Sequence, residues 1–454
     1  MQIHPLFFVL FGFIGVFSGR LLFRHWFNHL TLYSAIWGTG LALFEWRLID
    51  YTPLTLEVWM IILYAWLAFA LGSTMLMLAP AAAGIPDNAS RSGATSSVRS
   101  SLSVLEQRLF VIAILALSTV ALLAVLYQWK HLIEKFGGII GVLINGRTIY
   151  SMTVAGKLSD KIPYLDSLSL AAVFLTGLYS ARAGKVKGII IFPLAAAILG
   201  DIAQGGRVKI LLSGLLFLSA YFLTKHASSH IKNFRPASKV KQILALGFLL
   251  AFLWSAAEFV RSYRGAVERF YGASTALNKL EKQAFITPSI YLYLSSHVGV
   301  FNAYWKAGGE PSFPGATTFA PVYRILSRLG IADETPYFQK FYNIPIATNT
   351  GTYLREIHSD YGIAGILVTP FLLGFLCTVL WIQVKKRMHF ATIALLAHFY
   401  VVVMFTFLYQ VTRLGELAVC LIVSLTISTL IHLKCHGHFN LFEPHRPGGN
   451  LSHP

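Results

Sequence analysis

Charged side chains make up only 12% of this 454-residue chain, about half the share that a soluble domain carries. That little charge cannot cover the water-facing surface of a globule this size, so a soluble globular fold is excluded. Cysteine is nearly missing too, with three in all. Cys377 and Cys420 lie inside apolar runs and Cys435 lies near the C-terminus, so no disulfide framework is expected. Heptads and repeats of 20–50 residues are lacking. The apolar runs do not alternate with period two, which excludes barrel strands. No P-loop or Rossmann glycine pattern occurs, so no nucleotide-sugar site is implied.

What is abundant is apolar sequence: 56% of residues are hydrophobic. A run of about 18–20 apolar residues spans a bilayer as a helix, because the hydrocarbon core is about 30 Å thick. Backbone groups in lipid must pair within the chain, which leaves helices once barrels are excluded. The expected fold is an all-α polytopic membrane protein with about eleven transmembrane helices, at 5–22, 30–46, 57–80, 108–127, 165–181, 188–204, 208–224, 242–260, 361–382, 390–410 and 414–433. Residues 1–260 thus carry helices one to eight with short loops. Residues 261–360 form a large external loop, 361–433 carry helices nine to eleven, and 434–454 form a tail. The first run lacks a basic start and a small-residue cleavage site, so it reads as a membrane anchor.

Basic residues outnumber acidic ones 37 to 19, and their placement is one-sided. One alternate set of connections holds eighteen basic residues against three acidic ones. Lys and Arg stay cytoplasmic. This places the N-terminus and the long loop outside and the C-terminus inside. The basicity therefore reports orientation and attraction to anionic lipid; no nucleic acid partner is implied.

Between spans, 81–105 reads as a flexible linker rich in Ser, Gly and Ala, and 137–146 is too short to span. The tail run His432, Cys435, His436 and His438 reads as a solvated tail, and no metal site is expected. The long loop is rich in aromatics, including Tyr291, Tyr293, Tyr304, Trp305 and Tyr342. Disordered segments are poor in aromatics, so the loop is expected to be folded, largely helical and packed on the membrane surface. The stretch 286–305 has the look of a partly embedded amphipathic helix.

Four arginines fall near the outer ends of spans: Arg147, Arg207, Arg355 and Arg413. Guanidinium is permanently charged and forks onto phosphate oxygens. Arg207 follows two glycines, which allow close backbone approach to a ligand. The segment 348–365 adds Asn349, Thr352 and Tyr353 as candidate sugar contacts, and Asp360, Glu356 and His358 as candidate proton acceptors, in that order.

Short external turns carrying arginines, followed by a long external loop ending in Asn-Thr-x-x-Tyr-x-Arg and Asp-Tyr-Gly-x-x-Gly, resemble the Wzy-type oligosaccharide repeat-unit polymerases of O-antigen and capsule synthesis. The resemblance covers the architecture of nearly the whole chain and is most specific in 204–209, 314–330 and 348–365. It implies a metal- and cofactor-free glycosyltransferase in the bacterial inner membrane. Undecaprenyl-diphosphate-linked repeat units would be polymerised at the periplasmic face, with membrane lipids, a chain-length regulator and a flippase as partners. It implies Arg207 and Arg355 as diphosphate contacts, supported by Arg147 and Arg413. An O-antigen ligase shares this pattern. A lipid-linked sugar flippase fits less well, because the charges sit at span ends rather than at midplane.

The charge asymmetry predicts that reporter fusions place 225–241 in the cytoplasm and 261–358 outside. A fusion near residue 320 that reports a cytoplasmic location overturns the topology.

Overall fold

Wherever the apolar runs can be followed, they form helices that pack through small residues and bury their few polar groups in pairs. The computed structural model describes residues 4–78, 102–154, 157, 162–228, 247, 251, 254–256, 258–259, 262–263, 272–282, 287–310, 312–333, 339–386 and 388–436. In chain order the main helices are α1 (Pro5–Phe23), α2 (His29–Trp46), α3 (Leu56–Leu78), α4 (Val104–Phe136), α5 (Ile139–Ile144), α6 (Gly146–Val154), α7 (Leu168–Arg182), α8 (Ile191–Gln204) and α9 (Val208–Ser228). In the long loop follow α10 (Thr275–Lys282), α11 (Pro288–Ser295), α12 (His297–Lys306) and α13 (Ala320–Arg328). The chain then runs through α14 (Thr352–Lys386), α15 (Phe390–Phe405) and α16 (Gly415–His436). The described strands are a two-residue ribbon, Tyr342–Asn343 against Ala347–Thr348, antiparallel.

Among the described residues six helices are long and apolar enough to cross a bilayer: α1, α3, α4, α9, α14 and α16. The segments Gly188–Gln204 and Phe390–Phe405 are apolar but shorter. Each expected run except one coincides with a helix; 242–260 lies largely outside the described residues, as do the linker at 81–101 and the tail beyond 436. α2 and α7 are not among the six, for a physical reason. α2 turns His29, Thr31, Ser34 and Glu45 into the protein, which lowers its apolar content. α7 has only 15 residues, and every side chain from Ser169 to Arg182 is buried. It is the centre of the bundle, contacted by α4, α8, α9 and α16.

Helices α3 and α14 pack backbone to backbone. Gly72 meets the carbonyl of Phe371, and Gly374 meets the carbonyl of Phe69, so backbones touch where side chains would hold them apart. α14 would be about 52 Å long at 1.5 Å per residue, well beyond the hydrocarbon core. It is broken at Gly362, whose φ of 62° and ψ of −155° are non-helical. Residues 352–361 therefore form a separate short helical head before the apolar stretch.

The loop folds onto this head. The stretch 286–305 does not run as one lipid-facing helix; it splits into α11 and α12, and Tyr291, His297–Asn302 and Tyr304 are buried. The Tyr291 hydroxyl donates to the carbonyl of Leu43, and Tyr51 and Ser295 share a hydroxyl hydrogen bond of 2.7 Å. These bonds tie the loop to the end of α2.

At the opposite end of the bundle, Arg182 Nε donates to Glu106 Oε1 at 2.9 Å and Nη2 to Oε2 at 3.2 Å, with both side chains fully buried. Arg182, one of the basic residues counted toward the cytoplasmic side, is thus neutralised inside the protein by Glu106. Breaking one side of such a pair strands the other charge and costs about 3–5 kcal/mol. Glu106→Gln is expected to lower the thermal unfolding temperature of the solubilised protein sharply. The double variant Glu106→Met with Arg182→Met is expected to recover most of the loss.

Candidate functional site

The polar groups at the loop end of the bundle form two clusters. The first is built on the head of α14, where neighbouring residues point to different faces because a helix turns about 100° per residue. Glu356 is fully buried. It accepts from Arg413 Nη1 at 2.6 Å, from Gln339 Nε2 at 2.8 Å and from the backbone N–H of Gln410. Arg355 is also buried. Its Nη2 donates to both oxygens of Glu310, at 2.9 and 3.0 Å, and to the carbonyl of Lys340 at 3.0 Å; Nη1 donates to the carbonyl of Asn349 at 2.8 Å. The rings of Tyr304 and Tyr342 cover the guanidinium at 5.5 and 5.1 Å. Tyr342 also donates to Glu310 at 2.7 Å. Burial, and then the Glu310 carboxylate, push the Tyr342 phenol up to about 12, so it stays a donor at any physiological pH.

Asp360 accepts from the backbone of Thr317 and Thr318 and from the Thr318 hydroxyl, at 2.7–3.1 Å. That caps the turn leading into α13 and leaves few lone pairs for an acceptor hydroxyl. Half-exposed His358 has Nδ1 2.7 Å from the Tyr304 hydroxyl and its ring against Trp305. Of the candidate sugar contacts, Tyr353 is buried with its hydroxyl 2.9 Å from that of Tyr33, and Thr352 is buried at the start of α14. Their side chains lie in the core. Asn349 is half-buried and spends its carbonyl on Arg355.

The second cluster surrounds Arg207, in the turn between α8 and α9. Gly205 ends α8 in the left-handed region, at φ 61°, where a side chain would also meet Tyr150 of α6 at 2.9 Å. Asp201 fixes the turn from within: its carbonyl accepts from Gly206 N–H and its carboxylate from Ile210 N–H, both at 2.8 Å. Lys209 is buried and paired with Asp166, which also accepts from Gln204 at 3.3 Å. On this frame the half-buried Arg207 guanidinium lies 4.3 Å from the centre of the Tyr293 ring. Among the described residues it has no carboxylate partner. Arg147 sits on α6 three residues before Tyr150, hence on the same side of that helix. It is exposed and likewise has no acidic partner among the described residues.

His297 holds the elbow between α11 and α12, with Nδ1 3.2 Å from the Thr350 carbonyl and Nε2 2.6 Å from that of Tyr293. Burial lowers its pKa to about 4, so it is neutral at physiological pH.

The sequence pattern grouped four arginines together; the geometry divides them. Arg355 and Arg413 are internally neutralised, and Arg207 and Arg147 are not. Tyr293, Glu310 and Lys209 escaped the sequence reading as partners in this site. Among the described residues no group of three or more His, Cys, Asp or Glu side chains could hold a metal ion. Comparison with protein-family models, with curated proteins and with solved structures finds no match.

Removing the Glu310 carboxylate is expected to free the loop without touching the membrane helices. In Glu310→Gln, limited proteolysis should cut between 307 and 349 at least about tenfold faster, the order expected for losing a charge-assisted hydrogen bond of about 1.5–3 kcal/mol. Unchanged cleavage overturns the assignment of Arg355 as the staple.

Proposed function

We propose that this protein is an inner-membrane, lipid-diphosphate-dependent glycosyltransferase that polymerises undecaprenyl-diphosphate-linked repeat units at the periplasmic face, crossing the membrane about eleven times with the N-terminus outside. The reading rests on the resemblance of the sequence to Wzy-type polymerases. One observation supports it most: a half-buried arginine, Arg207, displayed on Tyr293 without an acidic partner among the described residues. Leaving a cation uncompensated in partly desolvated surroundings is costly. An incoming anion offsets that cost, and the guanidinium fork suits diphosphate oxygens.

The reaction forms a bond between an acceptor sugar hydroxyl oxygen and the anomeric carbon of the donor glycan, and breaks the bond from that carbon to the lipid diphosphate. The hydroxyl proton is lost to solvent or to the departing diphosphate. Negative charge develops on the leaving diphosphate, and preorganised cations there supply the largest catalytic contribution. Arg207, with Arg147, takes that role. Arg355 and Arg413 instead hold the loop and the 406–414 turn in place through Glu310 and Glu356. None of the three candidate bases combines access with nearness to Arg207. Asp360 and Glu356 are taken up by donors, and His358 lies beyond α12, a helix about 15 Å long. Catalysis therefore falls to leaving-group stabilisation more than to a base.

In a lipid-linked transfer assay, Arg207→Lys is expected to lower the rate by about 10²–10³ at unchanged protein level, because lysine cannot fork onto two oxygens. Arg355→Lys is expected to lose activity together with accumulated protein, and Arg99→Lys to be silent. Near-normal glycan length in Arg207→Lys overturns the site. In a deletion strain the polymerase reading expects single-repeat glycan; polymer retained on its carrier points to a ligase.

A further inference from the structure

Helix α13 has an apolar face that none of the described elements covers. Val322, Ile325 and Leu329 fall within about 60° on the helical wheel. Together with the flanking Phe319 and Ile331 they are 52–69% exposed. Arg324 and Arg328, one turn apart, lie on the other side. The base of the helix is fixed at a known level. Thr317 and Thr318 are bound by Asp360, and Thr412 donates to the carbonyl of Thr318 at 2.9 Å. Asp360 stands two residues above the Gly362 break, below which Ile363, Leu367, Val368 and Leu372 of α14 turn outward, 45–63% exposed, on a span apolar enough for lipid. The exposed apolar face of α13 is thus anchored where the outward apolar face of α14 begins.

From this we infer that α13 is a membrane-surface anchor: it lies in the headgroup layer on the loop side, with its apolar face in the acyl boundary. The occupant is the phospholipid monolayer, chosen because the exposed face continues the outward apolar surface of α14, as in helices that lie in the membrane interface. The bilayer then holds the 314–319 turn against Asp360, and through Thr412 it bears on the turn that carries Arg413.

The test uses the full chain in nanodiscs of phosphatidylcholine and phosphatidylglycerol. Cys435 is replaced by serine, leaving only the buried Cys377 and Cys420. Single variants Val322→Cys, Ile325→Cys and Leu329→Cys carry an environment-sensitive fluorophore, and Ser312→Cys serves as an exposed control. The three α13 labels are expected to be quenched by lipid brominated near the headgroup, at a depth of about 5–10 Å, and to resist iodide. The Ser312 label should show the reverse. Iodide quenching of the α13 labels equal to that at Ser312 overturns the inference, since the face is then in water. Protection from both quenchers also overturns it, since protein, such as a second copy of the chain, then covers the face.

Discussion

Everything at the loop end of this molecule depends on how a fully buried carboxylate, Glu356, is satisfied. Burying an ion costs several kcal/mol after relaxation, and a partner repays this only with good geometry and additional hydrogen bonds. Glu356 receives an arginine, an amide side chain and a backbone N–H. The donors come from two stretches, Arg413 and Gln410 from the turn between α15 and α16 and Gln339 from the end of the long loop, and the carboxylate itself from α14. Satisfying one carboxylate therefore fixes three pieces of chain. The next residue, Arg355, does the same on another face through Glu310, Lys340 and Asn349. Two adjacent residues of opposite charge, about 100° apart on the helix, fold the loop in two directions.

That economy separates the structural from the available charges. An arginine held by a carboxylate within a covered site has little attraction left for a ligand phosphate, because the pair is nearly neutral to anything beyond it. Arg355 and Arg413 are in that state. Arg207 is held by a ring face instead, a contact worth about 0.5–2 kcal/mol that leaves its N–H groups unspent. The physical criterion for a ligand-facing cation is thus the absence of a competing anion, and it cannot be read from position near a span end.

Hydropathy made most of the helices legible because a membrane helix needs only length and apolar content. Runs 5–22 and 57–80 end within two residues of α1 and α3. The central helix α7 was legible as an apolar run but not as central, since burial by neighbours leaves no mark on a uniformly apolar segment. The site was legible in part. The cluster at 355–360 and the Gly-Gly-Arg turn stand out as polar islands. Their partners do not, because Glu310 and Arg413 lie 45 and 57 residues from Arg355 and Glu356, and only the tertiary fold joins them. Tyr353 shows the opposite failure. Its hydroxyl invited a glycan role, yet a phenol can equally enter a core when another hydroxyl meets it, and Tyr33 does so.

The frame beneath Arg207 explains how an unpaired cation can persist there. A cation without an anion favours conformations that carry it into water, so the turn has to be fixed by something other than the arginine itself. Asp201 accepts from the first turn of α9, its carbonyl accepts from Gly206, and Lys209 is buried against Asp166. Gly205 admits the backbone of α6 at a distance that a side chain would block. These contacts stabilise the turn whether or not Arg207 contributes, so the arginine is free to be unfavourable. Strain of this kind persists only where the surroundings over-determine it. The buried polar groups of α8 and α9 therefore hold the turn that displays Arg207, and the pairs on α14 hold the loop.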